Sequence, residues 1–117
     1  MNDDYETPKW LKTVFHNYYD PCPLYSEMDG LTTNWDAFNF VNPPYSNPMP
    51  WVIKAIEESK KGKCVVMLLR VDTSTKWFAK LVEANAKILW FAQRIQFKKG
   101  SPNFASMLVI LNGSGKK

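Results

Sequence analysis

The chain has 117 residues, is 45% apolar and 15% aromatic, and carries a formal charge of +4 at neutral pH. That suffices for one hydrophobic core, and no apolar run approaches the roughly 18 residues a membrane-spanning helix needs. Two cysteines and one histidine leave no disulfide framework, no metal-ligand spacing and no histidine-based triad. The acidic start Met1-Asn2-Asp3-Asp4 is unlike a signal peptide, so a reduced, cytoplasmic setting is expected. Charge is unevenly spread. Residues 1–50 hold seven acids against two lysines, a net of −5, and residues 51–117 hold thirteen bases against four acids, a net of +9. A basic second half suits an anionic partner, nucleic acid first, and equally suits a solvated lysine face.

Thr7-Pro8 can open a short helix running to about His16, with Thr7 as its cap and Pro8 in the first turn. Tyr18-Tyr19 predicts a brief strand entering Asp20-Pro21-Cys22-Pro23, a rigid turn. Residues 24–36 are loop-like around the turn signal Asp29-Gly30. Phe38–Val41 predicts a strand, followed by a proline-rich stretch through Pro50. The spacing of Trp51, Val52, Ala55 and Ile56 then predicts a helix, broken at Lys61-Gly62. The apolar run 64–69 has the character of a buried parallel strand. Residues 73–84 predict a helix with Trp77, Phe78, Leu81 and Val82 on one face, and Trp51, Trp77, Phe78 and Trp90 are expected in the core. Three further strands are expected at 87–91, 94–97 and 106–111, the last two joined by a Gly-Ser-Pro-Asn loop. This alternation predicts one α/β domain over residues 1–112, a mostly parallel three-layer sheet with an antiparallel hairpin at its C-terminal edge. Residues 113–117 are expected to form a flexible basic tail.

The strand at Phe38–Val41 runs directly into Asn42-Pro43-Pro44-Tyr45. Open α/β sheets bind ligands at the carboxyl ends of their strands. Two prolines fix φ and remove two backbone donors, so the loop is stiff and its carbonyls stay available as acceptors. Asn42 adds an amide oxygen and Tyr45 a flat ring. Together they could grip an exocyclic amine on a planar base, although Pro-Pro is also a common way to end a strand.

A series of short pieces, in order over roughly residues 5–112, resembles the small phage-type DNA N6-adenine methyltransferases, which use S-adenosylmethionine. The pieces are Glu6-Thr7-Pro8, Asp20-Pro21-Cys22, Asp29-Gly30-Leu31 with Trp35, the catalytic-loop match Asn42-Pro43-Pro44-Tyr45-Ser46, and Trp51-Val52. They continue with Leu68-Leu69 through Thr73, Thr75 and Trp77-Phe78, then Arg94-Ile95-Gln96-Phe97 and Ser101-Pro102. The chain departs from that pattern in four places. Only 21 residues separate Asp20 from Asn42, where a full methyltransferase sheet would place two further strands. The glycine-rich cofactor loop has no counterpart, the acid that holds the cofactor ribose has only Glu27 or Asp29 as candidates, and Gln93 replaces the glycine before Arg94.

The resemblance implies a minimal Rossmann-like methyltransferase sheet shortened by two strands, encoded by a virus, phage or mobile element and acting in the host cytoplasm. It implies catalysis at Asn42, Pro43, Pro44 and Tyr45 and cofactor binding at Thr7, Pro8, Asp20, Pro21 and Cys22. DNA would be met by Tyr45, Ser46, Arg70, Arg94, Lys98 and Lys99, with support of the catalytic loop as the other role open to Arg94 and with Lys60, Lys61 and Lys63 as further phosphate contacts. Asn42 Oδ1 and the Pro43 carbonyl are the expected acceptors for the adenine amino group, and Tyr45 is expected to stack on the flipped base. No metal is implied. A degenerate relative that binds nucleic acid or a nucleotide without catalysis is the alternative. Methylation of RNA or of a planar amide such as glutamine is a third reading. The sheet edge left open where two strands are missing makes a homodimer an expected assembly.

Overall fold

The computed structural model describes residues 6–23, 29–97 and 104–113. The expectations for Glu27, Lys98, Lys99, Ser101-Pro102 and the tail from residue 114 lie outside them. Seven elements follow in order: α1 (Lys9–Val14), β1 (Phe38–Val41), α2 (Met49–Ser59), β2 (Cys64–Arg70), α3 (Lys76–Glu83), β3 (Lys87–Trp90) and β4 (Ser106–Asn112). The sheet order is β1-β2-β4-β3. β1 and β2 are parallel, whereas β4 is antiparallel to both of its neighbours. β1, β2 and β3 therefore run one way, and their carboxyl ends share one edge. This is the mixed α/β sheet the alternation predicts.

Alternation along β2 decides what covers each face. Val65, Met67 and Leu69 point into a core shared with Val52, Ala55, Trp77 and Leu81 of α2 and α3. Val66 and Leu68 point the other way, toward Leu11 of α1, Phe40, Tyr45, Ile95 and Phe97. The sheet is thus the middle of three layers. α2 ends in a turn where Gly62 adopts φ 94°, a left-handed conformation that glycine takes without strain. α3 starts later than expected because the Thr75 side chain caps it, accepting from the Phe78 N–H at 3.2 Å.

Four expectations are corrected. Pro8, not Thr7, stands at the N-cap of α1, and it offers no side-chain cap. Residues 94–97 form no strand of the sheet: β4, their expected partner, already has β2 on one side and β3 on the other. Ile95 and Phe97 are buried instead, as plugs over the second core. Trp90 is 58% exposed, since β3 is an edge strand. Finally, the edge beside β1 is partly closed by Tyr19, which donates to the Phe38 carbonyl at 2.9 Å and accepts from Phe40 N–H at 2.8 Å. Among the described residues no other strand lies between Tyr19 and Phe38.

The sequence gives no warning that Glu58, a helix-face residue, is fully buried. Its carboxylate accepts from Lys54 at 2.9 Å, Lys61 at 3.0 Å and Lys63, and lies 3.4 Å from the Trp35 N–H. Lys63 also donates to the Trp35 carbonyl at 2.7 Å, so the group ties the approach to β1 onto α2. Burial alone pushes this carboxyl up, but the hydrogen bonds from Lys54, Lys63, Lys61 and Trp35 outweigh it, bringing the pKa from 4.5 to about 2. An acid with a depressed folded pKa binds its proton more readily unfolded. Its stabilisation is therefore full above pH 4.5 and disappears as the pH falls through about 2. Thermal melts in that window should show the wild type losing stability, while Glu58→Gln starts lower by about 1–3 kcal/mol and changes less with pH. Parallel pH dependences in the two proteins would contradict this assignment.

Candidate active site

The carboxyl edge of the sheet collects most of the predicted site. β1 ends at Val41 and releases Asn42-Pro43-Pro44-Tyr45; its parallel neighbour β2 ends at Arg70. Tyr19 pairs in parallel with Asn39, so the Asp20–Cys22 turn emerges at the same edge on the other side of β1. β4 begins there too, with Ser106 opposite Arg70. One short edge thus carries Asp20, Asn42 and Arg70 on adjacent segments.

Buried asparagines anchor both ends of β1. Asn39 is fully buried at the entry, where Nδ2 donates to the Asp36 and Cys64 carbonyls at 2.8 and 3.1 Å and Oδ1 accepts from Asp36 N–H at 2.9 Å. Asn42 is 4% exposed at the exit, and its Nδ2 donates to the Thr7 hydroxyl at 3.0 Å. Both prolines that follow are trans. The loop closes with Asn47 N–H donating to the Pro44 carbonyl at 3.2 Å and passes at once into α2, whose N-cap is Pro48.

Arg70 holds this loop from outside. Its Nη1 donates to the Tyr45 carbonyl at 2.6 Å, its guanidinium lies 5.5 Å from the centre of the Trp77 ring, and Asp72 is 4.0 Å away. These are contacts to the loop and its surroundings; the DNA contact expected of Arg70 is a separate role that they do not test. Tyr45 is buried, its ring set edge-on to Phe104 at 5.2 Å and Phe97 at 6.3 Å between centroids. Ser46 is exposed at the tip. Arg94 is exposed between the buried Ile95 and the bend at 92–93.

The Asp20–Cys22 turn is closed by Asp20 Oδ1, which accepts from Cys22 N–H at 3.0 Å. The Asp20 carboxyl is solvent-accessible yet crowded by protein on its other sides. That desolvation raises its pKa from 3.8, against the pull of the Cys22 N–H. Pro21 and Cys22 are buried, Cys22 within the core against α2, and burial pushes its thiol pKa up. Gly30 fits beneath this turn for a steric reason: a Cβ there would lie 1.8 Å from the Pro21 carbonyl oxygen. The Gly30 carbonyl accepts from Trp35 Nε1 at 2.8 Å, so the Asp29-Gly30 turn supports the Asp20 turn from below. Asp29 Oδ1 is engaged with Leu31 N–H at 3.0 Å.

A cavity of about 550 Å³ opens beside Thr7 and Pro8, lined also by Trp10, Lys12, Gln96 and Phe97. Thr7 bonds Asn42 and Phe97 touches Tyr45, so this cavity adjoins the Asn-Pro-Pro-Tyr loop. Its size suits a small-molecule site. Trp10 and Gln96 were not foreseen there; only the in-out alternation around Ile95 and Phe97 could have pointed to Gln96. A groove of about 630 Å³ at the opposite end of the sheet, near Ser59, Asn85 and Asn112, contains Lys60 but none of the predicted catalytic or cofactor residues. Lys60, Lys61 and Lys63 precede β2 at that far end, about 20 Å from the loop at strand geometry. Lys61 and Lys63 are committed to Glu58.

The family described as DNA N-6-adenine-methyltransferase (Dam) matches residues 14–114 of the chain. A protein of Haemophilus phage HP1 (strain HP1c1) described as a DNA N-6-adenine-methyltransferase is 46% identical over 114 residues, covering 81% of this chain and 66% of that protein. A protein of Escherichia phage T1 with the same description is 38% identical over 70 residues, covering 57% of this chain and 29% of that protein. The chain therefore spans about two thirds of the first relative and less than a third of the second. No solved structure matches it.

Proposed function

The chain belongs to the DNA N-6-adenine-methyltransferase (Dam) family, and from that premise we propose that it transfers a methyl group from S-adenosylmethionine to N6 of adenine in DNA. The observation that carries the reading is the buried Asn42 at the sheet's carboxyl edge, its carboxamide held by Thr7 and its loop held by Arg70.

Adenine N6 is a poor nucleophile because its lone pair is delocalised into the ring. Asn42 Oδ1 and the Pro43 carbonyl accept from its two N–H bonds, which favours a more pyramidal nitrogen with the lone pair turned outward. S-adenosylmethionine, when bound, supplies a methyl group already activated on a sulfonium, so positioning carries most of the catalysis. No strong base is needed, because the nitrogen becomes acidic once alkylated. The residues at this edge suit the cofactor's charge: the exposed Asp20, on the turn that leaves the same sheet edge as the Asn42 loop, would pair with a sulfonium or an α-ammonium. Thr7 and Pro8 line the adjoining cavity, and Pro21 and Cys22 set the turn that aims Asp20. Cys22 contributes packing rather than a side-chain contact.

The target base must leave the duplex to reach Asn42, at a cost of a few kcal/mol. Stacking on Tyr45 would offset about 1–3 kcal/mol of that, and it requires the Phe104 or Phe97 contact to open as the base enters. Because Tyr45 is also a core side chain, Tyr45→Leu is a cleaner test than alanine. It should raise KM for DNA about 5- to 100-fold and leave the cofactor Kd unchanged; a weakened cofactor Kd with normal KM would contradict the stacking role.

The deciding experiment is transfer of label from S-adenosylmethionine to unmodified DNA, read by nucleoside mass spectrometry. N6-methyladenine is the expected product. Absence of product from protein that still binds the cofactor and DNA would leave the non-catalytic binding reading.

A further inference from the structure

A carboxamide is nearly symmetric in shape, and its two ends do opposite things. Oδ1 accepts hydrogen bonds and Nδ2 donates them. A target amino group needs the oxygen; with the amide reversed, two donors would face each other and the grip would be lost. What holds the other end therefore matters. At Asn42 it is held by Thr7, whose hydroxyl accepts from Nδ2 at 3.0 Å.

The placement of Thr7 is built in from α1. Leu11 is 2% exposed in the core with Phe40, Val66 and Leu68, which seats the helix on the sheet. The Pro8 carbonyl accepts from Leu11 and Lys12 N–H, both at 3.0 Å, and so fixes the residue just before the helix. Lys12 reaches back to Glu6 at 2.7 Å and holds the segment over the first turn. Thr7, between Glu6 and Pro8, is thereby pointed at Asn42 across 35 residues of sequence. It does not cap the helix.

We infer that Thr7 is a positioning residue whose hydroxyl holds the Asn42 carboxamide by its Nδ2 end, leaving Oδ1 to meet the target amine. This differs from the cofactor contact that the family resemblance implies for Thr7, and its kinetic arm rests on the methyl-transfer reading. Thr7→Val keeps the shape and β-branching and removes the hydroxyl. It should lower kcat about 10- to 100-fold, the scale of loss expected when a reacting group is misplaced. KM for DNA and the cofactor Kd should stay within about twofold, and Thr7→Ser should recover most of the activity. Normal kcat in Thr7→Val overturns the inference. So does a cofactor Kd that weakens in step with activity, which would make Thr7 a cofactor contact.

A second readout works without turnover. In 1H–15N spectra of the full chain, the side-chain amide pair that vanishes in Asn42→Ala identifies Nδ2. Its exchange with solvent should be at least about tenfold slower than that of an exposed asparagine, rise to the exposed rate in Thr7→Val, and slow again in Thr7→Ser. An exchange rate indifferent to Thr7→Val overturns the inference even if the wild type forms no product; absence of product by itself counts only against the methyl-transfer reading.

Discussion

An Asn42→Ala variant should lose methyl transfer by at least about 10²–10³-fold while remaining folded. The magnitude follows from what is removed: one of two acceptors that reshape the nitrogen, acting in a site where the side chain is 4% exposed. Removing one preorganised polar contact to the reacting atoms of an enzyme typically costs that much in kcat. The fold should survive, because the Asn42 partner Thr7 carries a hydroxyl that is only partly buried and can turn to water. About 1 kcal/mol is the expected stability cost. Circular dichroism and denaturant titration check the fold; mass spectrometry of the DNA checks the product. A folded Asn42→Ala protein with normal transfer would sink the mechanism, since the reading rests on this side-chain acceptor at the end of β1. A variant that loses both fold and activity would be replaced by Asn42→Leu, which keeps the volume and removes the acceptor.

The elements that could be read from sequence are those whose signal is local. Phe38–Val41 and α3 declare themselves by apolar pattern, and both elements appear in the structure, although of the expected α3 face Val82 is 54% exposed. The left-handed Gly62 that ends α2 was equally legible as Lys61-Gly62. What could not be read depends on sheet order. Residues 94–97 alternate as a strand would, with Ile95 and Phe97 buried, yet strand status requires a free neighbour, and β4 has none to offer. Trp90 looks like core until β3 is known to be an edge. The lysines before β2 look like a phosphate surface until Glu58 is found among them. The spacings Lys54 to Glu58 and Glu58 to Lys61 do put those pairs on one helix face, but the same spacing describes an ordinary solvated surface. At the site, the Asn-Pro-Pro-Tyr loop was visible because its residue types are unusual together. Its two supports, Thr7 and Arg70, were visible only as types; their roles come from contacts spanning 35 and 25 residues.

Arg70→Ala should be the second most damaging change, and the way it damages distinguishes the two roles open to a cation at this edge. The Asn42–Tyr45 loop contains two prolines and so lacks two of the backbone donors with which a loop usually stitches itself together. Arg70 supplies a donor from outside, at 2.6 Å to the Tyr45 carbonyl, and is itself oriented by the Trp77 ring and Asp72. Without it, Asn42 and the Pro43 carbonyl keep their chemistry but lose their fixed aim. The expected result is a fall of about 10²-fold in kcat, on the scale of a 1 Å misplacement, together with a stability loss of about 1.5–3 kcal/mol for a charge-assisted hydrogen bond. Arg70→Lys should recover only part of the rate, since a single ammonium can reach the carbonyl but gives up the planar stacking on Trp77. A phosphate contact would behave differently: its loss would raise KM for DNA and reduce the slope of log K against log salt by about one unit, leaving kcat nearly intact. Steady-state kinetics at two or more salt concentrations therefore separate a loop clamp from a backbone contact. The clamp geometry predicts that the loss appears in kcat and that the salt slope does not move.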